Sequence, residues 1–244
     1  MKKTVLCLGL LLSLTLAMSQ RQELLFNEDW GYLEDGQLPI EELSNSEDWE
    51  SVQLPHSWNQ WDAVDNSPGY RRDASWYQKK IHIAQPDAHH YQLYFEGANI
   101  KTQVYVNGQL AGQHIGGYVG FEIDINKQLV NGENTILVRV DNGYDPQVIP
   151  SQKADFFIYG GITRDVWLKK LPLSYISNVR VSTPDVSKKK ATTQLAVQLH
   201  ANHPSNSQKL RVYLQEPESG KKLLQKEIAL QPKLQHNLYY ENTR

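Results

Sequence analysis

An acid, a run of aromatics and a pair of glycines stand together in Asp155-Phe156-Phe157-Ile158-Tyr159-Gly160-Gly161, and Arg164-Asp165 then leads into the apolar Val166-Trp167-Leu168. A carboxylate accepts hydrogen bonds strongly and aromatic faces supply flat apolar surface, so the first half reads as a binding loop. The glycines allow backbone paths that a Cβ would block, and the last three residues read as a strand diving into a core. On these residues alone Asp155 is equally a loop acid that caps a turn. A second set, Trp61, Asp62 and Asp65, falls in one polar loop together with Trp58 and Tyr70. His56, His89, His90 and His114 lack the spacing that would set two ligands on one face, so no metal site is implied. The only cysteine, Cys7, lies at the extreme N-terminus, which leaves the rest of the chain without a thiol nucleophile, a thiolate site or a disulfide. No cofactor motif is present.

The elements that must position these groups are short strands. Tyr91 to Phe95 and Thr102 to Val106 alternate apolar and polar residues. Asn107-Gly108 follows the second of them, and Asn-Gly between such runs specifies a two-residue hairpin, because a type I′ turn needs positive φ at both central positions. Thr135 to Val140 sets Ile136, Val138 and Val140 on one face, and Trp76 to Ile83 sets Tyr77, Lys79, Ile81 and Ile83 on another. No helical period is sustained between Gln20 and Pro172, so this part is an all-β domain of sandwich or jelly-roll type. Its 12 basic and 22 acidic residues give a net charge of −10, whereas residues 173–244 carry 11 basic and 5 acidic residues, or +6. That change of sign, with a fresh series of strand-like runs, implies a second unit. It reads as a partial immunoglobulin-like β-sandwich, shorter than the roughly 100 residues that fold usually takes. Lys188-Lys189-Lys190 lies between strand-like runs without interleaved aromatics and reads as a solvated loop, so nucleic acid is not an expected partner.

Several blocks, in order, resemble the N-terminal part of the family 2 glycoside hydrolases, the β-galactosidase-like enzymes. They are Leu24 to Tyr32 (LLFNEDWGY), Leu54 to Asn59 (LPHSWN), Gly69 to Ile81, Tyr94 to Ile125, Asn134 to Asn142, and Asp155 to Leu168. The resemblance implies a sugar-binding jelly roll over residues 20–172 and an incomplete immunoglobulin-like domain over 173–244. It further implies a carbohydrate partner, a β-galactoside or related glycan, and a catalytic (β/α)₈ barrel that these 244 residues do not supply. By the same resemblance Asp155 reaches from the jelly roll toward the active site and accepts hydrogen bonds from sugar hydroxyls. Asp62, Asp65 and Trp61 then become candidates for lining a sugar subsite. His56 is expected to be a structural histidine, and Asn27-Glu28 a chance copy of a catalytic pair. No catalytic residue is assigned, since retaining enzymes of this kind place two carboxylates about 5–5.5 Å apart and both belong to the barrel. The chain is thus expected to be a non-catalytic portion of a secreted glycosidase, the alternative being a stand-alone exported carbohydrate-binding protein.

Residues 1–19 read as a signal peptide, with Lys2-Lys3, an apolar run of 13 residues from Val5 to Ala17, and small residues at Ala17 and Ser19. The run is too short to span a bilayer comfortably, and no second apolar run of membrane length follows it in these residues, so no membrane association is expected after its removal. Cleavage after Ser19 is expected. N-terminal sequencing of protein from the envelope or medium should begin at Gln20, and an intact Met1 on a cytoplasmic product contradicts it.

Overall fold

The computed structural model describes residues 21–43, 46–66, 69–149, 156–187, 191–201, 209–229 and 238–243. The expected signal peptide, residues 1–19, and Asp155 and the lysine triplet lie outside them. Two compact units divide the chain at residues 170 and 171.

The first unit carries ten strands: β1 (Gln22–Leu25), β2 (Trp30–Leu33), β3 (Glu50–Val52), β4 (Ala74–Ile83), β5 (His90–Phe95), β6 (Lys101–Val106), β7 (Gln109–Ile115), β8 (Phe121–Asp124), β9 (Gly132–Asp141) and β10 (Val166–Leu171). They form a six-stranded sheet of order β3-β2-β4-β9-β6-β7 and a four-stranded sheet of order β1-β10-β5-β8. The β1–β10, β5–β8, β2–β3, β2–β4, β4–β9, β6–β7 and β6–β9 pairs are antiparallel. One core fills the space between the sheets. Tyr77, Val104, Val106, Ile136, Val138 and Val140 face it from one side, and Leu93, Phe95, Phe121, Ile123, Val166 and Leu168 from the other. The expected faces of β4 and β9 are therefore the buried ones. Each such side chain contributes roughly 1.5–3 kcal/mol on burial. Leu24 to Tyr32 spans parts of two strands: β1 and β2 belong to different sheets, and Asp29 takes a positive φ of 51° in the break between them. A single helical turn, α1 (Ile40–Leu43), covers part of the outer face of the larger sheet, with Leu43 packed beside Leu33, Trp76 and Leu137.

The second unit holds β11 (Ser174–Val186), β12 (Ala191–Ala201), β13 (Lys209–Gln215), β14 (Lys222–Ala229) and β15 (Leu238–Thr243), in sheets of order β11-β12-β15 and β13-β14. Val197 and Leu199 of β12 pack with Leu210 of β13. The chain is all-β, as its pattern requires.

The β6–β7 turn shows how sequence sets register. Asn107 and Gly108 both have positive φ, 51° and 77°. The Asn107 amide also donates to the Gln128 carbonyl and to Asn134 Oδ1, both at 2.9 Å, and its oxygen accepts the Thr135 N–H at 3.0 Å. Asn107→Val would place a β-branched residue at positive φ and delete three hydrogen bonds. A loss of about 2–4 kcal/mol is expected, read as a lower urea midpoint with an unchanged slope.

Candidate functional site

Four stretches meet at one end of the sandwich: residues 56–66, 69–73, 142–149 and 156–165. Two buried asparagines join them. Asn59 Nδ2 donates to the carbonyls of Arg71 (3.2 Å) and Ile158 (3.1 Å), and its Oδ1 accepts from Gly160 N–H (2.9 Å) and Ser57 Oγ (3.1 Å). Asn142 Nδ2 donates to the same two carbonyls, Ile158 at 3.1 Å and Arg71 at 3.4 Å, while its Oδ1 accepts the Asp73 N–H at 2.9 Å. An amide both donates and accepts, so it can bridge a C=O and an N–H; a carboxylate of the same shape could only accept.

The glycine pair is explained by what surrounds it. A Cβ on Gly160 would lie 2.2 Å from Trp58 Cζ2 and 2.6 Å from Asn142 Nδ2. Gly161 has a φ of 125°, and a Cβ there would meet the His56 carbonyl at 2.4 Å. The backbone can therefore press into the sheet end, where His56 N–H bonds the Ile162 carbonyl at 2.8 Å and Asn99 N–H bonds that of Gly161 at 2.9 Å. Asp165 accepts from Asn27 Nδ2 at 2.8 Å, and Asn27 Oδ1 takes the Val166 N–H at 3.0 Å. Asp165 is thus an anchor, and Asn27 is a bracket for the loop base. Arg164 fixes the loop through its main chain, with its N–H on the Gly97 carbonyl at 3.2 Å, and its side chain is exposed.

His56 is structural. Burial lowers its pKa, opposed in part by Glu50, so the ring is neutral near pH 7. Burial also drives Tyr77 far above the usual phenol range, and the Ile162 backbone bonds its hydroxyl. The Tyr77 hydroxyl is hydrogen-bonded to His56 Nδ1 at 2.9 Å, with the imidazole tautomer setting which of the two donates.

Trp61, Asp62 and Asp65 come together on one turn, closed by Val64 N–H and Asp65 N–H on the Trp61 carbonyl at 2.9 and 3.1 Å. Trp61 presents its indole, 69% exposed. Asp62 commits Oδ2 to the Arg71 N–H at 2.6 Å, so this carboxylate braces its own loop. Trp58 is an anchor: it stacks with Tyr32 at 6.4 Å and lies under the Arg71 guanidinium at 5.2 Å. Tyr70 heads a row of rings, 4.7 Å from Phe157, which in turn lies 6.4 Å from Tyr159. The clamping roles of Asn59 and Asn142 were missed in the sequence, although each ends a recognisable block. The residues offer acceptors, a guanidinium and aromatic faces, which is binding chemistry. Among the described residues no three His, Cys, Asp or Glu side chains gather as a metal site.

A two-layer β-sandwich that displays carboxylates and aromatic faces on fixed end loops is an architecture suited to holding a small polar ligand. Residues 46–172 match the sequence profile of "Glycosyl hydrolases family 2, sugar binding domain", and the chain belongs to that family. The "Putative beta-glucuronidase" of Formosa agariphila is 52% identical over 181 residues, covering 74% of this chain and 22% of the relative. The β-glucuronidase of Bacteroides fragilis is 34% identical over 171 residues, covering 69% and 23%. The crystal structure of a Bacteroides uniformis β-glucuronidase superposes with a TM-score of 0.76 at 28% identity, over 92% of this chain and 28% of that one. The chain thus spans about a fifth of the length of these curated relatives, 22% and 23%.

Because the folded state holds His56 below its ordinary 6.5, it binds fewer protons than the unfolded chain in the window beneath that value. Stability is intact above pH ~6.5 and falls as pH drops through the window. His89 and His114 shift the same way, each chiefly through burial. Thermal midpoints measured between pH 7 and pH 5 should decline, and the slope should flatten in His56→Gln.

Proposed function

We propose that this domain is the sugar-contacting part of an exported family 2 glycoside hydrolase acting on β-glucuronides or β-galactosides. In this reading Asp155 accepts hydrogen bonds from sugar hydroxyls, Trp61 and the Tyr70–Phe157–Tyr159 row offer apolar faces to the ring, and Asp65 lines the edge. Bond cleavage belongs to a catalytic barrel that completes the pocket. Residues 1–19 direct export, residues 20–172 form the sugar-binding jelly roll, and residues 173–244 an immunoglobulin-like unit.

The observation that carries this reading is the rigidity of the segment immediately after Asp155. Ile158 is 1% exposed, its carbonyl is held by two amides, and Gly160 and Gly161 are fixed against the sheet end. A loop base so fixed holds the aromatic faces that follow Asp155 in place, which lowers the entropy cost of stacking a sugar on them. One loop is nonetheless only one wall of a pocket, and small ligands need most of their surface enclosed. Affinity of the chain by itself should be about millimolar, roughly 4 kcal/mol. Ligand-observed NMR with methyl β-D-glucuronide and methyl β-D-galactoside tests this. Binding should fall at least about fivefold in Asp155→Ala. Chromogenic glucuronides and galactosides should not be hydrolysed by the purified chain. Turnover that survives Asp155→Ala and is absent from a mock purification would refute both the assignment and the division of labour.

A further inference from the structure

Two neighbouring arginines are used in opposite ways. Arg71 is a bolt. Its Nη1 donates to Tyr32 Oη and Ser75 Oγ, both at 2.9 Å, its Nη2 to the carbonyls of Glu34 (2.6 Å) and Ala74 (2.8 Å), and its Nε lies 3.3 Å from the Glu34 carboxylate. Arg72 spends only one edge. Its Nε and Nη2 both donate to the Asn142 carbonyl, at 3.1 and 3.0 Å.

A guanidinium has five N–H groups in a fixed plane. With the Nε/Nη2 edge on Asn142, two N–H groups on Nη1 and one on Nη2 remain, and the Nη1/Nη2 pair is the fork that receives a carboxylate with two parallel bonds. Among the described residues no carboxylate pairs with it. The nearby acids are already engaged: Asp62 on the Arg71 N–H at 2.6 Å, and Asp73 on the Ala74 N–H at 2.7 Å. An oriented cation without a carboxylate partner among the described residues is out of character for a domain of net charge −10 over residues 20–172. The carbonyl that holds it is itself fixed, since the Asn142 side chain is clamped and its N–H bonds the Asp73 carbonyl at 3.1 Å. The guanidinium also lies 5.7 Å over Tyr70, at the head of the Tyr70–Phe157–Tyr159 row.

A fixed fork beside a flat aromatic face matches a pyranose that carries a carboxylate: the apolar ring face stacks and the charged substituent enters the fork. We propose that Arg72 is a specificity-determining residue that reads the carboxylate of a uronic acid on the glycoside bound at this end of the sandwich. The proposal rests on the sugar-contacting role given to these loops above. A neutral galactoside leaves the fork unfilled and gains only the stacking and hydroxyl contacts. Arg72 therefore sets preference between acidic and neutral sugars, while Asp155 acts on both.

The test is a titration of the whole chain, followed by NMR, with methyl β-D-glucuronide and methyl β-D-galactoside at low salt. The glucuronide should bind about tenfold more tightly, which corresponds to one Arg–carboxylate fork net of desolvation. The preference should shrink to about twofold in Arg72→Gln and shrink in wild type at about 0.3 M salt. Arg72→Lys, which keeps the charge and loses the fork, should keep an intermediate preference of about threefold. Galactoside binding, unchanged in the variants, reports that the loops remain folded. Should Arg72→Gln lose the galactoside too, Arg72→Lys decides, and an undiminished preference there overturns the fork. Equal binding of the two sugars by wild type, or a full preference in Arg72→Gln, overturns the proposal and leaves the sugar-contact reading standing. A chain that responds to neither sugar overturns both.

Discussion

Two backbone carbonyls, those of Arg71 and Ile158, are each held by two buried amides, and the loop end of the sandwich that carries the candidate site depends on that shared grip. Asn59 comes from the first loop and Asn142 from the end of β9, so four stretches far apart in sequence are tied at one point. Both asparagines have no solvent exposure, at 0%. Replacing either by a residue that cannot donate would strand buried polar groups, at about 1–3 kcal/mol each. The coupling runs further. Asn142 presents its own carbonyl to Arg72, and the Arg71 main chain is braced by Asp62. Disturbing one amide would therefore shift the aromatic row, the guanidinium and the Trp61 turn together.

The glycine pair belongs to the same constraint. Gly160 lies where Trp58 and Asn142 leave no room for a Cβ, and Gly161 takes a backbone angle that side chains resist. The loop can then lie flat against the end of the sheet and keep its aromatics outward. Phe156 and Tyr159 are 51% and 42% exposed, while Ile158 between them is 1% exposed and pins the segment. Exposed aromatics on a fixed backbone are costly in water, and they suit a surface meant to be covered by ligand or protein.

Much of the fold was legible in the order of residues. The Asn107-Gly108 turn, the buried faces of β4 and β9 and the return of Val166 to Leu168 into the core follow from period-two patterning and turn chemistry. The blocks that marked the family were legible as well, because each contains residues with local tasks: a hairpin turn, a glycine pair, a strand. The break at Asp29 that sends β1 and β2 to different sheets was not, since the short polar run Asn27 to Asp29 does not say which sheet each flank joins.

For the candidate site, the sequence by itself picked out Trp61, Asp62 and Asp65 as one loop, and the aromatic run after Asp155, because those groups are contiguous. It also identified His56 as structural. What only the tertiary structure decided is how those groups are used. Asp62 braces a loop, Trp58 anchors under Arg71, and Asn27 brackets Asp165 across 138 positions of sequence. It alone separated Arg71 from Arg72, adjacent and identical in type, by what surrounds each guanidinium. The physical reason is that a hydrogen bond's worth lies in its geometry and its alternatives to water. Both are set by partners brought in from distant strands, and nothing in local composition records them.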